Sequence, residues 1–163
     1  MFMKKLKSRV NRKTVLPDIN KIIIVTSLKD LTSFDYIFNI ANNSVIDNLT
    51  FIQLAGAAGN YNLLNSLIEK NKITRVDFFM SDYILKMSKG TLDAVKEIAK
   101  KTGGSVKIYT THVKFTLIKS EDNYYVINST ANAASNSKIE FMEIHNNKEY
   151  YDYLITFVNK HFV

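Results

Sequence analysis

His112 and Lys114 are separated by one residue in a segment that alternates in character, His112-Val113-Lys114-Phe115-Thr116-Leu117-Ile118. The alternation predicts a strand whose successive side chains point to opposite faces. His112, Lys114, Thr116 and Ile118 then share one face, and Val113, Phe115 and Leu117 the other. An isolated histidine on a strand is more often structural than catalytic. A lysine two residues on changes that balance, because an imidazole beside an ammonium suits chemistry at phosphorus: the ring nitrogen attacks while the cation holds a phosphate oxygen. Farther along, Asn128-Ser129-Thr130-Ala131-Asn132 supplies hydroxyls and an amide, and Glu140 a carboxylate that can fix the imidazole tautomer. His145 and His161 lack such company, and the spacing of His145 with Glu143 and Glu140 fits no standard ligand set, so neither a metal nor a cofactor is expected.

The elements that must position these groups read as an α/β alternation. Lys21–Thr26 is a continuous β-branched run, the pattern of a strand buried on both faces. Asp30 or Thr32 is placed to cap a helix carrying Phe34, Ile37, Phe38 and Ala41, which Asn42-Asn43 ends. Leu49–Leu54 predicts the next strand, and Leu63, Leu64, Leu67 and Ile68 the next helical stripe. Between them Gly56-Ala57-Ala58-Gly59 matches neither phosphate-loop signature and reads as a strand-to-helix turn. Val76–Met80 predicts a strand, Thr91–Lys101 a helix closed by Gly103-Gly104, and Val106–Tyr109 a strand. A hairpin follows, turning at Ser120-Glu121-Asp122-Asn123 into Tyr124–Ile127, with another apolar run from about Ile139-Glu140. Tyr151, Leu154, Ile155, Val158 and Phe162 form a final helical stripe. The sum is a mixed β-sheet flanked by helices on both faces, in one domain over residues 19–163 preceded by an arm over 1–18.

Composition narrows the function classes. The chain has 163 residues, no cysteine and 46% hydrophobic content, so disulfides and thiolate metal sites are excluded. No apolar run is long enough to span a membrane, and the basic start lacks an apolar core after it, so a cytoplasmic protein without a membrane partner is expected. Of the net charge of +7, six units come from Lys4, Lys5, Lys7, Arg9, Arg12 and Lys13, and 16 basic residues face 15 acidic ones thereafter. The excess is therefore an arm. It reads either as a solvated leader or as a phosphate-contacting segment that adds salt-dependent affinity for nucleic acid.

These residues resemble the phospholipase D superfamily, whose signature is His-x-Lys, a later Gly-Ser-x-Asn and then an acidic residue. His112 and Lys114 match the first element, Ser129-Thr130-Ala131-Asn132 aligns with the second, and Glu140 falls where the family places its acid. Ser129 stands at the glycine position, Thr130 at the serine position, and Lys119 where the family usually has aspartate. The resemblance implies an α/β/α sandwich with His112, Lys114, Asn132 and Glu140 as catalytic residues and Ser129 and Thr130 at the substrate. It also implies a metal-free, two-step phosphodiesterase reaction through a phosphohistidine, which needs a second histidine as acid and base. Larger relatives carry two His-x-Lys copies and this chain one, so a homodimer sharing a cleft is expected. The basic arm and the single motif point to a nuclease-like hydrolase acting on nucleic acid. The departures at Ser129, Thr130 and Lys119 support the alternative, a catalytically impaired DNA-binding or interaction module.

Overall fold

The computed structural model describes residues 14–27, 32–53, 58–86, 89–130 and 140–162. Seven strands form one sheet: β1 (Lys21–Ser27), β2 (Ile46–Gln53), β3 (Ile73–Ser81), β4 (Val106–Tyr109), β5 (Phe115–Ser120), β6 (Asn123–Ser129) and β7 (Glu140–Asn146). Their order is β1-β7-β6-β5-β2-β3-β4. β2, β3 and β4 are parallel, and every other pairing is antiparallel. Four helices accompany the strands: α1 (Ser33–Asn43), α2 (Ala58–Glu69), α3 (Lys89–Lys101) and α4 (Lys148–His161). The expected mixed sheet with helices on both faces is what the chain forms.

Residues 33–43 become a helix because Thr32 caps them. The Thr32 amide donates to the Asp35 carboxylate at 2.8 Å, satisfying a donor that the helix start would otherwise strand. α1, α2 and α3 cover one face, where Phe34, Phe51 and Phe78 stack with ring centroids 5.3 Å apart and Tyr61 meets them edge-on. α4 alone covers the other, laying Tyr151, Leu154, Val158 and Phe162 on Ile52, Phe79, Phe115, Leu117 and Val126. The expected C-terminal stripe docks as its spacing implied.

Two expectations change. The β-branched run of β1 is not buried on both faces, for β1 is an edge strand and Ile22 and Ile24 are 59% and 62% exposed. Its inner residue Val25 packs against the three-helix core, whereas α4 crosses the centre of the opposite face and leaves β1 open. The strand expected from His112 begins at Phe115, because residues 111–114 approach it as irregular backbone. The hairpin turns at Ser120-Glu121-Asp122-Asn123 as expected: Ser120 pairs with Asn123 across Glu121-Asp122, with Glu121 at φ 53°. Asp30 and residues 54–57 lie outside the described residues.

Gly103-Gly104 closes α3 as its sequence implied. Gly103 adopts φ 63°, and the Gly104 amide returns to the Ala99 carbonyl at 2.8 Å. A Cβ on Gly104 would stand 1.8 Å from the Val76 carbonyl oxygen of β3, a backbone clash that only a shift of the helix end relieves. A Cβ on Gly103 would meet nothing within 4 Å, so only the left-handed backbone resists a side chain there. Gly103→Ala should therefore cost about 1–2 kcal/mol in denaturant unfolding, and Gly104→Ala should cost more, roughly 3 kcal/mol or above. Equal losses would show that helix end and strand are not in close contact.

Candidate active site at the carboxyl edge of the sheet

Strand directions decide which residues meet. β1, β2, β3, β4 and β6 run one way and β5 and β7 the other. One edge of the sheet therefore gathers the carboxyl ends of β2, β3, β4 and β6 and the amino ends of β5 and β7. His112–Lys114 lead into β5 there, Ser129-Thr130 leave β6, and Glu140 opens β7 opposite Ser27. Open α/β sheets bind ligands at this edge. α1, α2 and α3 each begin there too, following β1, β2 and β3, so three positive helix ends face the same region.

Lys114 is bound to the segment that follows β6. Its carbonyl accepts from the Ser129 amide at 3.3 Å, and its ammonium donates to the Thr130 carbonyl at 3.0 Å. Lys114, Ser129, Ser33 at the start of α1 and the buried Gln53 at the end of β2 line one small cleft. Thr130 is pinned in turn to β7: its amide donates to the Phe141 carbonyl at 3.1 Å, and its hydroxyl accepts from the Phe141 amide at 3.0 Å. The segments carrying His112, Ser129-Thr130 and Glu140 are thus tied side by side through backbone. His112 itself is exposed at this edge.

The loop bearing His112 is held by residues that sequence reasoning missed. Asp82, just past β3, accepts from the Thr110 hydroxyl at 3.0 Å and from the Ser81 hydroxyl at 3.1 Å. Those bonds, Thr110 first, hold its carboxyl below the usual carboxylate range. The Thr111 hydroxyl accepts from the Val113 amide at 3.2 Å, shaping the turn around His112. An aspartate at the end of a parallel strand was the available signal, but nothing local ties Asp82 to Thr110, 28 residues away.

Of the residues expected at the site, His112, Lys114, Ser129 and Thr130 meet at one edge, and the backbone of Glu140 joins them. Asn132 and the basic arm residues Lys4, Lys5, Lys7, Arg9, Arg12 and Lys13 lie outside the described residues. Lys119 has the opposite parity along β5 from Lys114 and faces Asp47 at 3.7 Å. His145 lies five residues along β7 from Glu140, roughly 17 Å away at strand spacing. There it contacts Glu143 at 3.5 Å and packs against the Tyr150 ring. His161, in the last turn of α4, packs on Phe157. Among the described residues no cluster of three metal-ligating side chains occurs, and no helix is long and apolar enough to cross a membrane.

No family model matches the chain, and no curated protein sequence does. Solved structures do match. A polyphosphate kinase from Porphyromonas gingivalis superposes with TM-score 0.62 at 13% identity over 85% of this chain, which spans a quarter (25%) of that protein's length. NucT from Helicobacter pylori superposes with TM-score 0.59 at 10% identity, covering 86% of this chain and 95% of its own. The archaeal chromatin protein TrmBL2 gives TM-score 0.57 at 10% identity over 98% of this chain and 57% of that one. The chain shares the overall architecture of these structures, and it has the phospholipase D-like fold.

Proposed function

We propose that this protein is a metal-independent phosphodiesterase acting on nucleic acid through a phosphohistidine at a homodimer cleft. The observation that carries the reading is the Lys114 ammonium bound to the Thr130 carbonyl, which ties the His-x-Lys segment to the Ser-Thr-Ala-Asn segment at the carboxyl edge. NucT, a nuclease of nearly the same length, and the DNA-binding TrmBL2 share the fold and support nucleic acid as substrate.

In the reaction, a His112 ring nitrogen attacks phosphorus and the bond to the leaving oxygen breaks. Lys114 and Asn132 hold the non-bridging oxygens, the three helix ends favour the phosphate charge, and Glu140 accepts a hydrogen bond from the far ring N–H and fixes the tautomer. The second copy's His112 protonates the leaving oxygen. It then takes a proton from water, which attacks the phosphohistidine and restores the imidazole. One chain has one such histidine, so the cycle requires the two-fold mate.

A second reading, a catalytically impaired DNA-binding module, is favoured by one observation. The Thr130 hydroxyl, at the position where the family has serine, is engaged with the Phe141 backbone. The two readings separate cleanly. A phosphodiesterase cleaves an activated diester such as bis-p-nitrophenyl phosphate in EDTA, and His112→Ala lowers the rate about 10³-fold or more with an unchanged melting temperature. It also runs as a dimer in light scattering; a monomer would leave the cycle without its acid. A binding module shows no turnover yet binds DNA, and deleting residues 1–16 weakens that binding and flattens its salt slope by up to about 5.

Asp82 gives a test of positioning. Its folded pKa is depressed, so its hold on Thr110 is complete above the ordinary carboxylate value near pH 4 and is lost as pH falls through the lower folded value. Amide protection at Thr110–Val113, measured against the intrinsic exchange rate at each pH, should fall on that acid limb in the wild type, and Asp82→Asn should abolish the pH step. Because Asp82 is exposed, the substitution should leave the melting temperature nearly unchanged while lowering cleavage about tenfold through a misplaced His112. An unchanged exchange profile would detach Asp82 from the loop.

A further inference from the structure

β1 is an unguarded sheet edge. Seven residues, Lys21–Ser27, pair in continuous register with β7, and among the described residues no strand lies on the other side. In an antiparallel ladder every second residue of an edge strand directs its N–H and C=O outward. Proteins usually blunt such an edge with a proline, a bulge, a central charge or a covering helix. β1 has no proline and no positive φ, and its one charge, Lys21, is at its end. The chain enters it from the three-helix side, where the Thr14 carbonyl accepts from Asn39 of α1 and Leu16 packs on the core. Ile22 and Ile24 therefore stand open on the α4 side, beside the 39% exposed Phe141 of β7. The opposite edge differs: β4 is four residues long, and its Lys107 is bound to the Phe162 carbonyl at the end of α4.

We propose that β1 pairs antiparallel with β1 of a second copy, about a two-fold axis through Ile24, joining the two sheets into one. β1 is its own best complement. Centred on Ile24, all seven residues pair, Ile22 and Ile24 of both copies form one contiguous apolar row, and Lys21 falls opposite Ser27. The two ammonium groups are then about 20 Å apart, with no like charges opposed. A register centred elsewhere leaves rungs unpaired.

This contact is distinct from the catalytic one and stands without it. Antiparallel pairing turns the second copy's carboxyl edge the other way, so the two His112 residues of a β1 pair sit on opposite sides of the joined sheet. A shared catalytic cleft needs a different two-fold axis, and the two contacts together assemble more than two chains. A single strand pair is small beside the about 1,600 Å² of a standard interface, so the assembly depends on concentration.

The chain has no cysteine, which makes a register-specific test simple. Ile24→Cys places one thiol on the axis and should give a disulfide-linked dimer under a glutathione redox buffer, whereas Ile22→Cys, displaced from its own copy, should not. Ile24→Lys, at an exposed position, should keep the fold by circular dichroism and remove the concentration-dependent rise in mass seen by sedimentation velocity. If the Ile24→Lys variant is a stable dimer that still cleaves phosphodiester, both interfaces stand as described. If it is monomeric and Ile24→Cys cross-links, β1 is the interface and the shared-cleft mechanism falls. No Ile24→Cys cross-link, or an equal one at Ile22→Cys, overturns the β1 pairing whatever the enzyme does.

Discussion

β5 lies between two antiparallel neighbours, with Phe115 opposite Ile52 of β2 on one side and Asn128 of β6 on the other. Because strand side chains alternate, a slip of one residue would invert every side chain on β5. Phe115 and Leu117 are buried under α4, and Thr116 and Ile118 are buried on the three-helix side, so the slip would exchange the two sets between differently shaped cores and turn Lys119 toward the three-helix side. That packing preference holds Lys114 on the side of Ser33, Gln53 and Ser129 and lets its carbonyl meet the Ser129 amide. The candidate chemistry is thus placed by hydrophobic burial several residues away from it.

The edge so formed is electrostatically suited to an anion. Three helices start at it, Lys114 is present, and the Asp82 carboxylate spends its acceptors on Ser81 and Thr110. Its charge is used to hold a loop. The polar cluster of Asn128, Glu143, His145 and Tyr150 lies on the α4 side of the sheet, where the Asn128 amide donates to the Tyr150 hydroxyl at 3.1 Å. His145 stands 3.5 Å from Glu143 there and packs on Tyr150, so this histidine and glutamate lie near the foot of α4 and away from the carboxyl edge.

What could be read in advance was what local chemistry determines. Thr32 and Asp35 mark a helix start, Gly103-Gly104 a helix end, and the spacing of Tyr151, Leu154 and Val158 an apolar stripe. Each of these signals sits within a few residues. The meeting of His112-Val113-Lys114 with Ser129-Thr130 was legible because a hairpin joins them. Long-range partners were not. A β-branched run looks the same at the edge of a sheet as at its centre, so Ile22 and Ile24 gave no sign of their exposure. Nor did the alternation at residues 112–118 show that pairing starts only at Phe115, since among the described residues no strand pairs with His112 or Val113.

The partnership of β1 with β7 sets the order in which the chain can be completed. Lys21 pairs with Asn146, so this isoleucine-rich segment has no native neighbour in the sheet until β2 to β7 have all been made. Closing so long a loop is slow compared with forming the hairpin of β5 and β6. Throughout that wait Ile22, Ile23 and Ile24 are a sticky template for other nascent chains. The ladder that waits for β7 is also the one that seals the three-helix core along its open margin, which makes biosynthesis of this protein a race between β7 and neighbouring chains.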